Sequence, residues 1–177
     1  MPLPKLFVFL GKPGVGKTTL IQAALPTCRR VDVRPFVRSY EIGGVVPEEK
    51  TLAGYQDMYR YVGGLNEPVV VLELGTNHPE FNVQQLLQLQ QKRDIHLFLC
   101  TASVETCRQR MNGRNFQDDA EAMERRLLRD FPNTYLQLLH QTSLHYHLID
   151  LEQPLEETNK IIRAYLARLG IETGALV

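Results

Sequence analysis

Gly11-Lys12-Pro13-Gly14-Val15-Gly16-Lys17-Thr18 is the stretch that decides the fold of this 177-residue chain. It satisfies the pattern G-x-x-x-x-G-K-[ST] in full. The apolar residues 6–10 before it predict a buried strand, and residues 19–25 after it predict the first turns of a helix. A strand, a glycine loop and a helix in this order predict backbone amides that surround phosphate oxygens at the positive end of a helix dipole.

The chemistry of this phosphate-binding loop (residues 11–18) follows from its residue types. Lys17 is predicted to reach the β- and γ-phosphates of a nucleotide, and the Thr18 hydroxyl to bind Mg²⁺. A glycine-rich turn with a chance lysine is the alternative, and the flanking strand and helix argue against it. The predicted nucleotide-binding residues are Gly11, Lys12, Pro13, Gly14, Val15, Gly16, Lys17, Thr18 and Thr19.

Composition predicts one ordinary globular domain over residues 1–177. Hydrophobic residues make up 44% of the chain and charged residues 23%, and the formal net charge is zero. No global field therefore attracts the chain to nucleic acid or an anionic membrane, and no stretch approaches the length of a membrane helix. Three cysteines without C-x-x-C spacing suit a reducing compartment, so we expect a cytoplasmic protein.

Strand and helix patterns alternate along the whole chain, which predicts a parallel sheet. Residues 69–74 predict a central strand that ends in Glu73, where Glu73 would hold a magnesium-bound water or accept a proton. A strand-end carboxylate bonded to nearby backbone is the alternative. Further strands are predicted at residues 30–34, 95–100 and 145–150, whereas residues 37–44 are predicted to be a loop.

A basic helix is predicted to begin at Ser103 and to run through residue 114. Arg110 and Arg114 are four residues apart, so they would project to one side of this helix. Two neighbouring guanidinium groups favour a shared anion such as a polyphosphate, and a solvated basic face is the alternative.

Four segments together resemble the small P-loop kinases related to nucleoside, nucleotide and polynucleotide kinases. They are the loop at residues 11–18, the strand and following turn at residues 69–78, residues 98–107 followed by Arg110 and Arg114, and the strand at residues 147–150. The resemblance implies a three-layer α/β P-loop NTPase fold. It also implies a five-stranded parallel sheet in the order 2-3-1-4-5 and a lid at about residues 110–120.

The resemblance also implies roles for individual residues. Lys17 and Thr18 would handle ATP and Mg²⁺, and the lid residues Arg110 and Arg114 would stabilise charge on the transferred phosphoryl group. In the family a carboxylate at the end of the second strand commonly serves as the base for the acceptor hydroxyl, which points to Asp32. The polynucleotide-kinase relatives have D-x-x-R there, whereas this chain has Asp32-x-Arg34, so Glu73 competes for that role.

The acceptor is predicted to bind within residues 33–64, with Arg34 or Arg38 as its anchor. The predicted function is that of an ATP- and Mg²⁺-dependent phosphotransferase for a small hydroxyl- or phosphate-bearing acceptor, with a nucleoside or nucleotide favoured. A small nucleoside-triphosphatase that uses water, or a nucleotide-binding regulatory module, is the alternative. No membrane partner is expected, nucleic acid is expected only as a terminal phosphate acceptor, and the oligomeric state stays open.

Overall fold

A computed structural model describes residues 1–114 and 120–173 of the chain. Within these residues, five parallel strands form one sheet in the order β2-β3-β1-β4-β5, which confirms the expected order. The strands are β1 (Lys5–Leu10), β2 (Arg29–Asp32), β3 (Val69–Leu74), β4 (Asp94–Thr101) and β5 (His145–Asp150).

The three central strands are apolar on both faces because helices cover the sheet on both sides. In chain order the helices are α1 (Lys17–Ala24), α2 (Arg34–Arg38), α3 (Glu48–Gly64), α4 (Pro79–Leu89), α5 (Val104–Met111), α6 (Ala120–Leu127), α7 (Asn133–Leu139) and α8 (Leu155–Arg168). Among the described residues, none of these helices combines the length and apolarity needed to cross a membrane.

Two hydrophobic clusters, one on each face of the sheet, lie between the sheet and the helices. One includes Leu6, Val8 and Leu10 of β1 and joins the sheet to α3, α4 and α7. The other includes Phe7 and Phe9 and joins it to α1, α5, α6 and α8. Alternate residues of β1 thus serve opposite clusters, as the two-residue period of a strand requires, and the three-layer prediction is confirmed.

Two local predictions are wrong. The second strand ends at Asp32 rather than at residue 34, because the Asp32 carboxylate accepts a hydrogen bond from the Arg34 amide (2.8 Å) and Pro35 favours the first turn of a helix. Residues 37 and 38 therefore belong to α2 instead of a loop.

The basic helix is also shorter than predicted. Helix α5 ends at Met111, before Asn112 and Gly113, which are weak helix formers, and Arg114 follows in a turn. Arg110 and Arg114 therefore do not share a helix face. Part of the predicted lid, residues 115–119, lies outside the described residues.

A buried amide connects the helices on the β3 side of the sheet. Asn82 of α4 is fully buried and accepts a hydrogen bond from the Tyr59 hydroxyl of α3 at 2.7 Å. Its Nδ2 donates to the Asn77 carbonyl at 2.8 Å and to the Tyr135 hydroxyl of α7 at 3.0 Å. One side chain thus holds two neighbouring helices and the turn that follows β3.

Replacement of Asn82 by alanine is expected to lower the free energy of unfolding by about 2–4 kcal/mol, because it leaves buried hydroxyl and carbonyl groups without partners. Chemical denaturation followed by circular dichroism measures this change. Gln84→Ala is the matched control, since Gln84 is an exposed amide on the same helix. Equal stability of the two variants would contradict the role given to Asn82.

Candidate active site

The phosphate-binding loop packs directly against β4 and α5. Gly14 and Gly16 have φ angles of 75° and 109°, in the region that glycine adopts without strain. A Cβ atom at Gly14 would lie 2.4 Å from the Cys107 carbonyl oxygen, and one at Gly11 would lie 2.7 Å from the Cys100 carbonyl oxygen. The glycines are therefore required by close backbone approach as well as by the turn.

Lys17 lies in the first turn of α1 and reaches back over the loop. Its Nζ donates to the carbonyl oxygens of Gly11 at 2.7 Å and Lys12 at 3.1 Å. Burial lowers the pKa of Lys17, and the negative charge of Glu73 opposes this shift. An anion bound in the loop would stabilise the charged form that burial disfavours.

Thr18 and Glu73 meet at the carboxyl end of the sheet. The Thr18 hydroxyl donates to Glu73 Oε1 at 2.6 Å, and Glu73 is only 9% exposed. Its second oxygen, Oε2, is buried and has no hydrogen-bond partner among the described residues, and the Arg30 Nε atom lies 3.7 Å away. A buried carboxylate oxygen beside a hydroxyl is a donor set that fits Mg²⁺, which prefers oxygen ligands.

This pair would share the ion with oxygens of the bound nucleotide. Within residues 1–114 and 120–173, no group of three or more His, Cys, Asp or Glu side chains is arranged to hold a metal ion. Mg²⁺ in phosphate sites is commonly bound by one or two protein groups plus substrate phosphates and water. The two residues predicted for the metal, Thr18 and Glu73, are thus brought together.

Asp32 lies beside Glu73, since the two residues are register partners on adjacent parallel strands. Arg34 donates to both Asp32 oxygens, with Nε 3.2 Å from Oδ1 and Nη2 2.6 Å from Oδ2. Burial acts to raise the pKa of Asp32, but the hydrogen bonds and charge of Arg34 outweigh it and lower the pKa below its ordinary value. Asp32 is therefore an oriented, ionised carboxylate.

The predicted arginines Arg110, Arg114 and Arg38 differ in their contacts. Arg110 reaches the loop, where Nη1 donates to the Val15 carbonyl at 2.7 Å and Nη2 to the Leu151 carbonyl at 2.8 Å. It thus ties the loop to the segment after β5. Arg114 and Arg38 are exposed.

A cavity of about 380 Å³ opens beyond the carboxyl end of β3, and the sequence analysis missed it. It is lined by Thr76, His78, Pro79, Glu80, Arg129, Asp130, Phe131, Thr134 and Tyr135. Arg129 donates through Nη1 to the side-chain oxygen of Asn77, which lies in the turn after β3. No local pattern in the sequence marks Arg129, because its partner is 52 positions away.

Comparisons with known proteins give the same architecture. No protein-family model matches the chain, and no curated protein matches its sequence. Among solved structures, a gluconokinase from Sinorhizobium meliloti 1021 is similar over 96% of this chain and 95% of its own, with 17% identity and a TM-score of 0.61. The fold is that of the small P-loop kinases.

Two further structures support this fold assignment. A shikimate kinase from Acinetobacter baumannii, solved in complex with shikimate, shares 19% identity over 94% of each chain, with a TM-score of 0.61. A deoxyadenosine kinase from M. mycoides shares 12% identity over 93% of this chain and 99% of its own, with a TM-score of 0.56. In this P-loop kinase fold, the loop, Thr18 and Glu73 occupy the carboxyl edge of the sheet, where ligands bind in open α/β sheets.

Replacement of Gly14 by alanine is expected to abolish detectable nucleotide binding and to cost at least about 2 kcal/mol of stability, because the new Cβ meets a backbone carbonyl at a positive φ. Calorimetric titration with Mg·ATP and thermal unfolding measure the two effects. Gly64→Ala is the control, since a Cβ there has no atom within 4 Å. Unchanged ATP affinity in the Gly14 variant would contradict the assigned loop geometry.

Proposed function

We propose that this protein is an ATP- and Mg²⁺-dependent phosphotransferase that acts on a small hydroxyl- or phosphate-bearing acceptor. The observation that carries the proposal is the contact between Thr18 and Glu73 beside a lysine-bearing glycine loop. This places a hydroxyl, a buried carboxylate and a cation around one point at the sheet edge. Phosphoryl transfer requires mainly such positioning and charge stabilisation.

The nucleotide side of the reaction uses the loop and its lysine. The loop amides and Lys17 would bind the phosphate oxygens, with Lys17 giving up its bonds to the Gly11 and Lys12 carbonyls. Thr18 and Glu73 would hold Mg²⁺, which when bound neutralises charge on the phosphates. Arg110 would keep the loop in place through its contacts with the carbonyls of Val15 and Leu151. Arg114 stays a proposed lid residue that would approach the phosphates when nucleotide is bound.

The acceptor side requires a group that orients a hydroxyl. Glu73 Oε1 is engaged by Thr18, whereas Asp32 lies on the next strand and outside that pair. We therefore assign Asp32 to the acceptor hydroxyl and Glu73 to the metal. The lowered pKa of Asp32 keeps it ionised at neutral pH, so it accepts a hydrogen bond from the hydroxyl and holds the oxygen toward the phosphate.

The range of acceptors is supported by the similar structures. They are named as kinases of gluconate, shikimate and deoxyadenosine, so this fold serves both hydroxy acids and nucleosides. The anchoring roles of Arg34 and Arg38 and the cytoplasmic location remain predictions from the sequence.

Lys17→Ala is expected to reduce phosphoryl transfer by about 10²–10³-fold or more while leaving the fold intact, because it removes a cation that faces the transferred phosphate. The assay follows labelled ATP with a panel of nucleosides, nucleotides, sugar acids and cyclic hydroxy acids. Lys160→Ala, an exposed lysine of α8, is the control. A labelled, acceptor-dependent product supports transfer; free phosphate alone, whatever the acceptor, would instead indicate a triphosphatase.

The two carboxylates are expected to respond differently to amide replacement. Glu73→Gln should raise the Mg²⁺ concentration for half-maximal rate by about 10- to 100-fold, because it weakens a metal ligand. Asp32→Asn should lower kcat and leave the Mg²⁺ requirement unchanged. Steady-state kinetics over a Mg²⁺ series measures both, and an Mg²⁺ shift in the Asp32 variant alone would reverse the two assignments.

The lowered pKa of Asp32 also predicts a pH dependence. A depressed pKa means that the carboxylate stays ionised as the pH falls to its ordinary value of 3.8. Between pH 7 and about pH 5, protonation of Asp32 should therefore cause no loss of kcat. A pH–rate profile in which Asp32→Asn removes an acidic limb above pH 5 would contradict this expectation.

A further inference from the structure

We propose that the cavity beyond β3 binds an anionic group of the acceptor, a carboxylate or a phosphate, and that Arg129 is the residue that selects it. The acceptor would then be a small hydroxyl-rich anion instead of a neutral compound. This inference rests on the proposed function and specifies its acceptor.

Arg129 is the arginine that lines the cavity, and most of its hydrogen-bond donors have no partner among the described residues. It makes one side-chain hydrogen bond, to Asn77, and no ion pair with a carboxylate in the part of the chain that the structure describes. Its neighbour Asp130 instead accepts a hydrogen bond from Asn133 Nδ2 at 3.0 Å. A guanidinium group with donors left over is suited to a forked contact with a carboxylate or phosphate.

A second observation on the same wall also points to a ligand. Thr76 is 7% exposed, and its buried hydroxyl has no hydrogen-bond partner among residues 1–114 and 120–173. An unpaired buried hydroxyl costs free energy unless a ligand or water satisfies it. Helix α4 begins on this wall and has no side-chain cap, so its positive end faces the same space.

The acidic residues of the wall define the rest of the ligand. Glu80 and Asp130 line the cavity together with Arg129. They would repel a bare inorganic anion, but their oxygens accept hydrogen bonds from hydroxyl groups. A molecule with one anionic group and several hydroxyls satisfies both kinds of side chain, whereas a neutral or purely anionic molecule satisfies only one.

Tyr135, one of the aromatic residues of the wall, does not offer a platform for a base. Phe131 and Tyr135 pack edge to face with centroids 5.8 Å apart, and Tyr135 is 1% exposed. The His78 ring packs edge-on against Tyr55 at 5.1 Å. Stacking needs an open ring face, and Tyr135 is too deeply buried to offer one.

The cavity is also placed for transfer. Thr76 comes two residues after Leu74, whose carbonyl accepts a hydrogen bond from the Gly11 amide at 3.3 Å. Asn82 donates a hydrogen bond to the backbone carbonyl of Asn77, and the side-chain oxygen of Asn77 accepts one from Arg129. An acceptor held by Arg129 would therefore lie at the same edge of the sheet as the phosphate-binding loop.

The test compares matched acceptors in the full-length wild-type protein and in the Arg129→Gln variant. The panel contains six-carbon aldonic acids, their neutral alditols, sugar phosphates, nucleosides and nucleoside monophosphates. Wild-type protein is expected to prefer the anion of each pair, and Arg129→Gln to raise KM for the anions by about 10- to 100-fold with an unchanged KM for ATP. Arg129→Lys should restore part of the preference because it keeps the charge.

Arg125→Gln is the matched control, since Arg125 forms an exposed pair with Glu121 on α6, and it should leave the preference unchanged. A preference for aldonic acids would identify the anionic group of the acceptor as a carboxylate. A preference for phosphate esters would identify it as a phosphate. An equal loss for anions and neutral partners would overturn the proposal, since Arg129 would then act only through Asn77. Use of neutral nucleosides alone would also overturn it while leaving the phosphotransferase intact.

Calorimetric titration of the same acids and esters into protein without nucleotide separates this proposal from the proposed function. Anion binding that Arg129→Gln abolishes would support the site even if no transfer product formed, in which case the phosphotransferase assignment alone would fail. No binding of any anion by the wild-type protein, with or without ATP analogue, would overturn the site.

Discussion

The structure depends on the close approach of the phosphate-binding loop to the backbone of β4 and α5. Gly11 and Gly14 leave room for the carbonyl oxygens of Cys100 and Cys107, and no other residue type fits at those distances. Because β1 is the middle strand of the sheet, this packing fixes the loop against its neighbours on both sides. The position of α1, and with it Lys17 and Thr18, follows from the same contact.

The strand order then determines which distant residue meets Thr18. Since β3 lies next to β1 and parallel to it, Glu73 is placed level with Phe9 and opposite the first turn of α1. The two partners are 55 positions apart, yet the sheet leaves little freedom in their relative placement. This placement buries charged groups at a cost in free energy. Burial lowers the pKa of Lys17, and one Glu73 oxygen has no hydrogen-bond partner among the described residues. A bound triphosphate would stabilise the charged form of Lys17, and a bound cation would pair with the Glu73 oxygen. Ligand binding would thus recover free energy that burial of these two groups costs the folded protein.

The parts that the sequence predicted are those with a local or periodic cause. The glycine loop, the central strands and the final helix each have a pattern within a few residues, and the order of the strands followed from the resemblance that these patterns carried. The predictions were wrong where a side chain changed the local outcome, as when Asp32 bonded the Arg34 amide and started α2. Asn82 could not be found because its partners come from α3, α7 and the turn after β3, and Arg129 could not be found because its partner Asn77 is distant in the chain.

This contrast divides the site into two halves with different physical origins. The proposed nucleotide half is made largely of the backbone amides and tightly packed glycines of the loop. The proposed acceptor half is made of side chains such as Asp32, Arg129 and Thr76, which three separate segments contribute. Proteins with little sequence in common therefore share the first half and differ in the second. On the proposal made above, recognition of the acceptor would depend on the cavity beyond β3, where Arg129 and the unpartnered Thr76 hydroxyl lie beside carboxylates and would set the charge that the acceptor carries.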